Sequence, residues 1–231
     1  MKILAFESSA KAASVALLED TKILAQNYQN IGFTHSKTLL PMAESMLANI
    51  ETSINDVDYI AVANGPGSYT GIRIGVAVVQ GMCVASDKKC VGISTLEAMA
   101  YNLVDVTDRY IVCVMDARVS QVYNAIFVNN DGKLERVCED RAISIEELTK
   151  ELKNLGKSYI FVGDGAEMCY NIVKENEIEI TLAPEHLRFQ TAASVARASL
   201  NYVPQDVDNL VPTYLRLSQA EREKQDKNGG K

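Results

Sequence analysis

The sequence predicts an α/β protein of two lobes sharing one architecture, each a mixed sheet covered by helices. Three observations carry this reading. The order β-β-β-α-β-α-β-α runs twice along the chain, about a hundred residues each time. In each half three consecutive strand-like runs precede helix-linked ones, so antiparallel pairing should give way to parallel. In each half, too, a glycine-containing loop follows the fourth strand and opens a helix. With 231 residues, 47% of them hydrophobic and 23% charged, the chain can bury a large core without disulfides or metal.

Lys2 to Phe6 is an apolar run ended by the small polar turn Glu7-Ser8-Ser9-Ala10-Lys11, and Ala13 to Leu18 and Lys22 to Tyr28 are the next strands. Thr34 sits as an N-cap for a helix towards Glu51, whose apolar residues Leu39, Met42, Ala43, Met46, Leu47 and Ile50 recur at three and four. Pro41 lies about two turns in and should kink it. Asp58 to Ala63 is a buried strand leading into Gly65-Pro66-Gly67-Ser68-Tyr69-Thr70-Gly71. A helix to about Asp87 follows, then a strand from Cys90 to Ile93 and a helix capped by Ser94 or Thr95 that runs to Leu103. In the second half the strands are Arg109 to Met115, Gln121 to Val128 and Lys133 to Cys138, with Asn129-Asn130-Asp131-Gly132 as a hairpin turn. Ser144 and Glu147 form a capping box for a helix to about Leu155. Tyr159 to Val162 is a strand ending at Gly163-Asp164-Gly165, Ala166 to Glu175 a helix, Ile178 to Leu182 a strand and Thr191 to Tyr202 the last helix. The boundaries fall at 1–104 for the first lobe, 105–218 for the second and 219–231 for a charged, solvated tail. Two such lobes are the layout of actin-like (ASKHA, ribonuclease-H-like) and sugar-kinase-like proteins, an analogy of fold that carries no function.

Thirty acids against 23 bases give a net charge of −7, with 7 bases and 9 acids before Val104 and 16 and 21 after it. Neither half hides a basic arm, so direct nucleic-acid binding by this chain alone is disfavoured. The most apolar segment, Ile72 to Ala85, is broken by Arg73, Gln80 and two glycines. No run is therefore expected to reach the length of a membrane span, and the start is too short before Glu7 for a secretory signal. The five cysteines form no C-x-x-C pair and read as buried thiols of a reducing, cytoplasmic setting.

The loop Gly65 to Gly71 lacks the lysine of a Walker loop, since Ile72 follows Gly71, and its third glycine comes one residue late for a dinucleotide fingerprint. What survives is a turn at a helix N-terminus. There Gly65, Gly67, Ser68, Thr70 and Arg73 could contact an anion, or the turn could simply pack against the neighbouring lobe. The helix that follows carries Arg73 as its one charge, so it should be buried all round. Gly71, Gly75, Val78, Met82 and Ala85 form a low ridge on one side. With His35, Leu39, Met42 and Met46 of the earlier helix, the ridge either makes a partner-binding or self-complementary patch or is covered within the chain.

His35 has Leu39, not a second histidine, four residues on, and His186 is far away in sequence, so no metal site is expected and His35 reads as an exposed helix-start residue. No serine stands in G-x-S-x-G, and only two imidazoles could serve as a base, so no catalytic residue is assigned. Glu7 and Asp116 each end the first strand of their half, positions where actin-like enzymes organise metal-nucleotide. The following glycines are here Ser8-Ser9-Ala10 and Ala117-Arg118-Val119, an eroded cleft.

The chain resembles the TsaB family, the non-catalytic paralogue of TsaD in bacterial tRNA threonylcarbamoyladenosine synthesis. The residues that carry this are Ile3 to Ser9 with Ser14 to Leu17, His35-Ser36 with Leu39-Leu40-Pro41, and above all Gly65-Pro66-Gly67-Ser68-Tyr69-Thr70-Gly71-Ile72-Arg73-Ile74-Gly75. Ser94 to Ala98, Asp116-Ala117-Arg118 and Tyr214-Leu215-Arg216 extend it; Glu7 departs from the family's usual Asp. The resemblance implies a scaffold subunit that pairs with TsaD through the N-terminal helices, recruits the ATPase TsaE, and forms homodimers when TsaD is absent. It implies no cofactor of its own, with ATP only at an interface shared with TsaD or TsaE, and tRNA reached through the complex. The alternatives are a degenerate actin-like ATPase or small-molecule kinase and, further off, a metallopeptidase.

Overall fold

A computed structural model describes residues 1–216 except Phe33, Thr107, Val119, Asp131 and Gly132. The first half runs β1 (Lys2–Glu7), β2 (Ala13–Glu19), β3 (Lys22–Gln29), α1 (His35–Asn49), β4 (Tyr59–Gly65), α2 (Tyr69–Ser86), β5 (Lys89–Ser94) and α3 (Thr95–Ala100). The second runs β6 (Tyr110–Asp116), β7 (Gln121–Asn130), β8 (Lys133–Ser144), α4 (Ile145–Leu155), β9 (Tyr159–Val162), α5 (Ala166–Val173), β10 (Ile180–Leu182), α6 (Glu185–Arg188) and α7 (Ala192–Ser199). Each half forms a five-stranded sheet of the same order, β3-β2-β1-β4-β5 and β8-β7-β6-β9-β10. The first three strands pair antiparallel and the helix-linked ones join in parallel, as the sequence predicts.

Strand β1 shows why the sheet is buried on both faces. Its side chains alternate, so Leu4 and Phe6 join Val15 and Leu17 beneath α1 and α2, while Ile3 and Ala5 join Ala16 and Leu18 on the other face. That second face is covered by Ala192, Ala193, Val195, Ala196 and Ala198 of α7, an alanine-rich surface that lets the helix lie close. In return Leu96, Met99 and Ala100 of α3 pack on Ile111, Cys113, Met115 and Phe127 of the second sheet. Each half thus lends its last helix to the other sheet, and α3 packs against α7 between them. Helices α4 and α5 cover the far face of the second sheet.

The chain then returns over the first lobe. Gln205 bridges Cys90, Leu210 is buried in the α1–α2 core and its carbonyl accepts from the Gln80 amide at 2.9 Å. The Thr213 N–H donates to Asn64 O at 2.7 Å, and Arg216 reaches the second lobe, donating to Ala117 O at 2.6 Å.

Some expectations need correction. Strand β8 continues through Glu139-Asp140-Arg141 to Ser144, with Glu139 exposed, Asp140 paired to Arg136 at 2.5 Å and Arg141 to Glu151 at 2.7 Å. Helix α3 stops at Ala100 and α7 at Ser199, while α6 and the short helical turn at Ile54–Asp56 have no periodicity to announce them. Helix α2, at 18 residues and a mean hydropathy of 1.2, does reach the length and composition of a membrane span. Ile72, Val76, Val79 and Cys83 nevertheless lie in the core of the first lobe, which makes α2 one of its layers. The turn residues Asp131-Gly132 and the tail 219–231 lie outside the described residues.

Candidate functional site

The glycine loop is bound to the turn after β1. The Ser68 N–H donates to Ser9 O at 2.6 Å, and the Ser8 hydroxyl donates to Gly71 O at 3.0 Å. A Cβ at Gly67 would strike the Ser9 carbonyl, one at Gly71 the Ser8 carbonyl, and one at Gly75 the Ser8 hydroxyl. Gly65 and Gly67 hold φ of 127° and 154°, which side chains rarely adopt, and a Cβ at Gly65 would strike Thr213 O. The two motifs, Glu7-Ser8-Ser9 and Gly65 to Gly75, are therefore halves of one close contact. The loop packs against a turn of its own lobe and against the returning chain at Thr213 and Tyr214. Gly71 and Gly75, expected on an outward ridge, face inward.

Between the lobes lies a cleft of about 700 Å³. Ser9 to Lys11 and Gly67 to Thr70 line it from one side, Met115 to Arg118 with Tyr123 and Asp164 from the other, and Thr213 to Arg216 cross its edge. Arg73 joins that edge: its guanidinium sits 4.0 Å from the Tyr69 ring centroid and donates to the Tyr214 hydroxyl at 2.8 Å, and the two rings stack at 4.6 Å.

The acids at the strand ends make the same local bond. Glu7 Oε1 accepts from the Ser9 N–H at 2.6 Å, and Asp116 Oδ1 accepts from the Arg118 N–H at 2.7 Å. Glu7 is fully buried, and burial pushes its carboxyl up to about 7, with the Ser9 hydrogen bonds opposing and Asp164 adding to the rise. Asp164 is raised in the same way by burial, against the Gln190 amide that donates to it at 2.9 Å. Glu7 Oε2 and Gln190 Oε1 are buried without a partner, and a proton on Glu7 turns one orphaned acceptor into a donor. Four N–H groups at this floor, those of Ser9, Ser68, Gly71 and Arg118, are committed to Glu7, Ser9, the Ser68 hydroxyl and Asp116.

On the outer side, Leu39, Met42 and Met46 of α1 are buried in the single chain, and Val78 and Met82 are half-buried against the same core. Helix α2 is not buried all round. Thr70, Arg73, Ala77, Gly81, Val84 and Ala85 form an open stripe, and Val84 is 73% exposed. Leu40 and Pro41 of α1 are open as well. His35 is half-buried: its Nε2 lies 2.8 Å from Ala10 O and its Nδ1 is buried without a partner, so it fastens α1 to the turn after β1. Burial pushes the Cys83 and Cys169 thiols up to about 12 and Cys113 well above its usual value, so these thiols stay protonated. The open stripe and the strap of residues 205–216 had no sequence signal that named their partners.

Two lobes of one strand order, exchanged inner helices and a cleft between them define an actin-like, ASKHA-type α/β protein. YeaZ from Pseudomonas aeruginosa shares this fold with a TM-score of 0.79 at 24% identity, over 93% of this chain and 99% of that one. The family model of TsaD, tRNA N6-adenosine threonylcarbamoyltransferase, matches residues 29–224. The tRNA threonylcarbamoyladenosine biosynthesis protein TsaB of Bacillus subtilis is 30% identical over 96% of either chain. The protein of the same name from Haemophilus influenzae is 40% identical over 67% of this chain and 69% of that one. The chain belongs to the TsaB family of tRNA threonylcarbamoyladenosine biosynthesis.

Proposed function

We propose that within this pathway the chain is a non-catalytic scaffold that holds a TsaD subunit in a competent shape through the open stripe of α2 and the neighbouring end of α1. The observation that carries this is α2 itself: a helix of mean hydropathy 1.2 that leaves Ala77, Gly81, Val84 and Ala85 exposed on one side of its own chain. A stripe of Ala77, Gly81, Val84 and Ala85 lets a second helix approach closely, and such a face in water calls for a protein partner. The same stripe pairs with a second copy when TsaD is absent, and TsaE joins the assembled pair. The setting is the cytoplasm. The protonated thiols, the fully buried Ser8 and Ser9 and the committed N–H groups of the cleft floor support a role without chemistry of its own.

The test is reconstitution with TsaD and TsaE from the same organism. Wild-type chain should co-elute with TsaD, and tRNA modification followed by nucleoside mass analysis should depend on it. Ala77→Arg should keep the melting temperature of the isolated chain and weaken the complex by at least about 100-fold, roughly 3 kcal/mol. If TsaD and TsaE modify tRNA equally well without this chain, the scaffold reading fails. Calorimetry of the isolated chain with Mg-ATP separates the degenerate-ATPase reading, and no specific heat is expected.

A further inference from the structure

The arginines of the described chain divide by place. Arg109, Arg136, Arg141, Arg188 and Arg197, away from the cleft lining, each meet a carboxylate at 2.5 to 3.8 Å. Arg118 and Arg216, with Lys11, line the cleft, and Arg73 stands at its edge; none of these four forms an ion pair among the described residues. The acids beside them are turned elsewhere, Asp116 to the Arg118 N–H and Asp164 to Gln190. In a chain of net charge −7, four cations gathered at one cleft against the two acids of its lining, Asp116 and Asp164, make a local anion-attracting field. Arg118 is presented from a backbone φ of 63°, a conformation few non-glycine residues hold.

The cations stand beside aromatic rings. Arg73 fixes Tyr69 and Tyr214 as a stacked pair, and Tyr123 lines the opposite wall. These groups act at the mouth, where Lys11, Arg73 and Arg118 are exposed. Thr70 belongs both to the cleft lining and to the open stripe of α2, so a partner seated on the stripe borders the mouth. Guanidinium and ammonium groups interleaved with aromatic rings suit single-stranded nucleic acid, whose phosphodiesters and base faces they engage together.

We infer that the cleft mouth is an RNA-contact site, where an unpaired stretch of the tRNA lays its phosphodiesters on Lys11, Arg118 and Arg216 beside the Tyr69–Tyr214 pair. The inference rests on the scaffold reading, since the partner brings the RNA to a chain too acidic to hold it alone. It is tested on the complex of the full chain with TsaD, by fluorescence anisotropy against an unmodified transcript of a tRNA that the wild-type complex modifies, over a range of salt. Lys11→Glu with Arg118→Glu should weaken binding about tenfold or more and lower the slope of log affinity against log salt by about 1.4, two single-strand phosphate contacts. The variant complex should elute as wild type does. Ultraviolet cross-linking should place RNA on the peptides containing Tyr69 or Tyr214. Unchanged affinity and slope in an assembled variant complex overturn the inference, as does a variant that loses Mg-ATP binding while keeping tRNA. If wild-type chain does not assemble with TsaD, the scaffold reading fails. In that event this inference, which needs the partner to bring the RNA, is overturned with it.

Discussion

The two lobes share a strand order but close their outer faces differently. In the second lobe, α4 buries Ile145, Leu148, Thr149 and Leu152 and turns Glu146, Glu147, Lys150 and Lys153 to water. In the first, α2 buries Ile72, Val76, Val79 and Cys83 and turns Ala77, Gly81, Val84 and Ala85 outward. Both helices have the period that an outer layer requires, so packing on the sheet is equally well served. What differs is the solvent of the far side. One far face is charged and is finished by water; the other is small and apolar, and it is the face through which we propose that this chain meets its partner.

The acids at the centre of each sheet repeat the contrast, and the largest stability effect lies there. Glu7 and Asp116 make the same short bond to an N–H two residues on, but Glu7 is sealed inside and Asp116 is exposed. With its carboxyl raised from 4.5 to about 7, Glu7 holds a proton in the folded chain that the unfolded chain has already released between those values. Stability therefore falls as pH rises through this window, by roughly 3 kcal/mol in all, and levels off above it. Glu7→Gln, which keeps the shape and removes the charge, should match wild type near about pH 4 and exceed it by about that amount near about pH 8. Urea midpoints across the window check this; parallel pH profiles for the two proteins would refute the buried-acid account.

Glycines mark the next contrast. In each lobe the loop after the fourth strand presses a glycine onto the end of the first: Gly71 onto the Ser8 carbonyl, and Gly165 to within 3.0 Å of the Asp116 N–H nitrogen, measured from where a Cβ would stand. Gly71→Ala should cost about 2 kcal/mol, because a backbone oxygen cannot swing aside as a side chain can. Gly165→Ala should cost about 1 kcal/mol, since its neighbours need give only a few tenths of an ångström. Thermal melts of both variants measure the pair, and a Gly71→Ala protein as stable as wild type would mean the turn after β1 is looser than the structure shows.

Much of this architecture was legible in advance, and the parts that were not have a common cause. Alternation in Lys2 to Phe6, the three-and-four spacing of Leu39 to Leu47 and the Ser144–Glu147 cap are local signals, and the elements they mark stand within a few residues of where they are predicted. Gly71 and Gly75 announce that something comes close to a helix, but not what. The answer, Ser8, lies more than sixty residues earlier in the chain, so an inward contact reads as an outward ridge. Ser8-Ser9-Ala10 likewise reads as the loss of a phosphate turn, when those residues are the other half of the glycine contact. The placing of α7 on the first sheet and the unpaired cations of the cleft are long-range facts of the same kind: each residue is ordinary where it stands, and only the tertiary fold brings them together.

The smallest contrast is at the helix starts, and it isolates a local effect from the tertiary ones. Ser144 caps α4 with its hydroxyl accepting from the Glu147 N–H at 3.2 Å, and the Glu147 carboxylate closes back on the Ser144 N–H at 3.2 Å. Thr34 occupies the same position before α1 but makes no side-chain cap; the start of that helix is held by His35 on Ala10 instead. Ser144→Ala should therefore cost about 1 kcal/mol, while Thr34→Ala should cost only a few tenths. Chemical denaturation of the two variants decides the matter. Equal losses would show that Thr34 caps α1 in solution after all, and that the first lobe secures its outer helices by the same local means as the second.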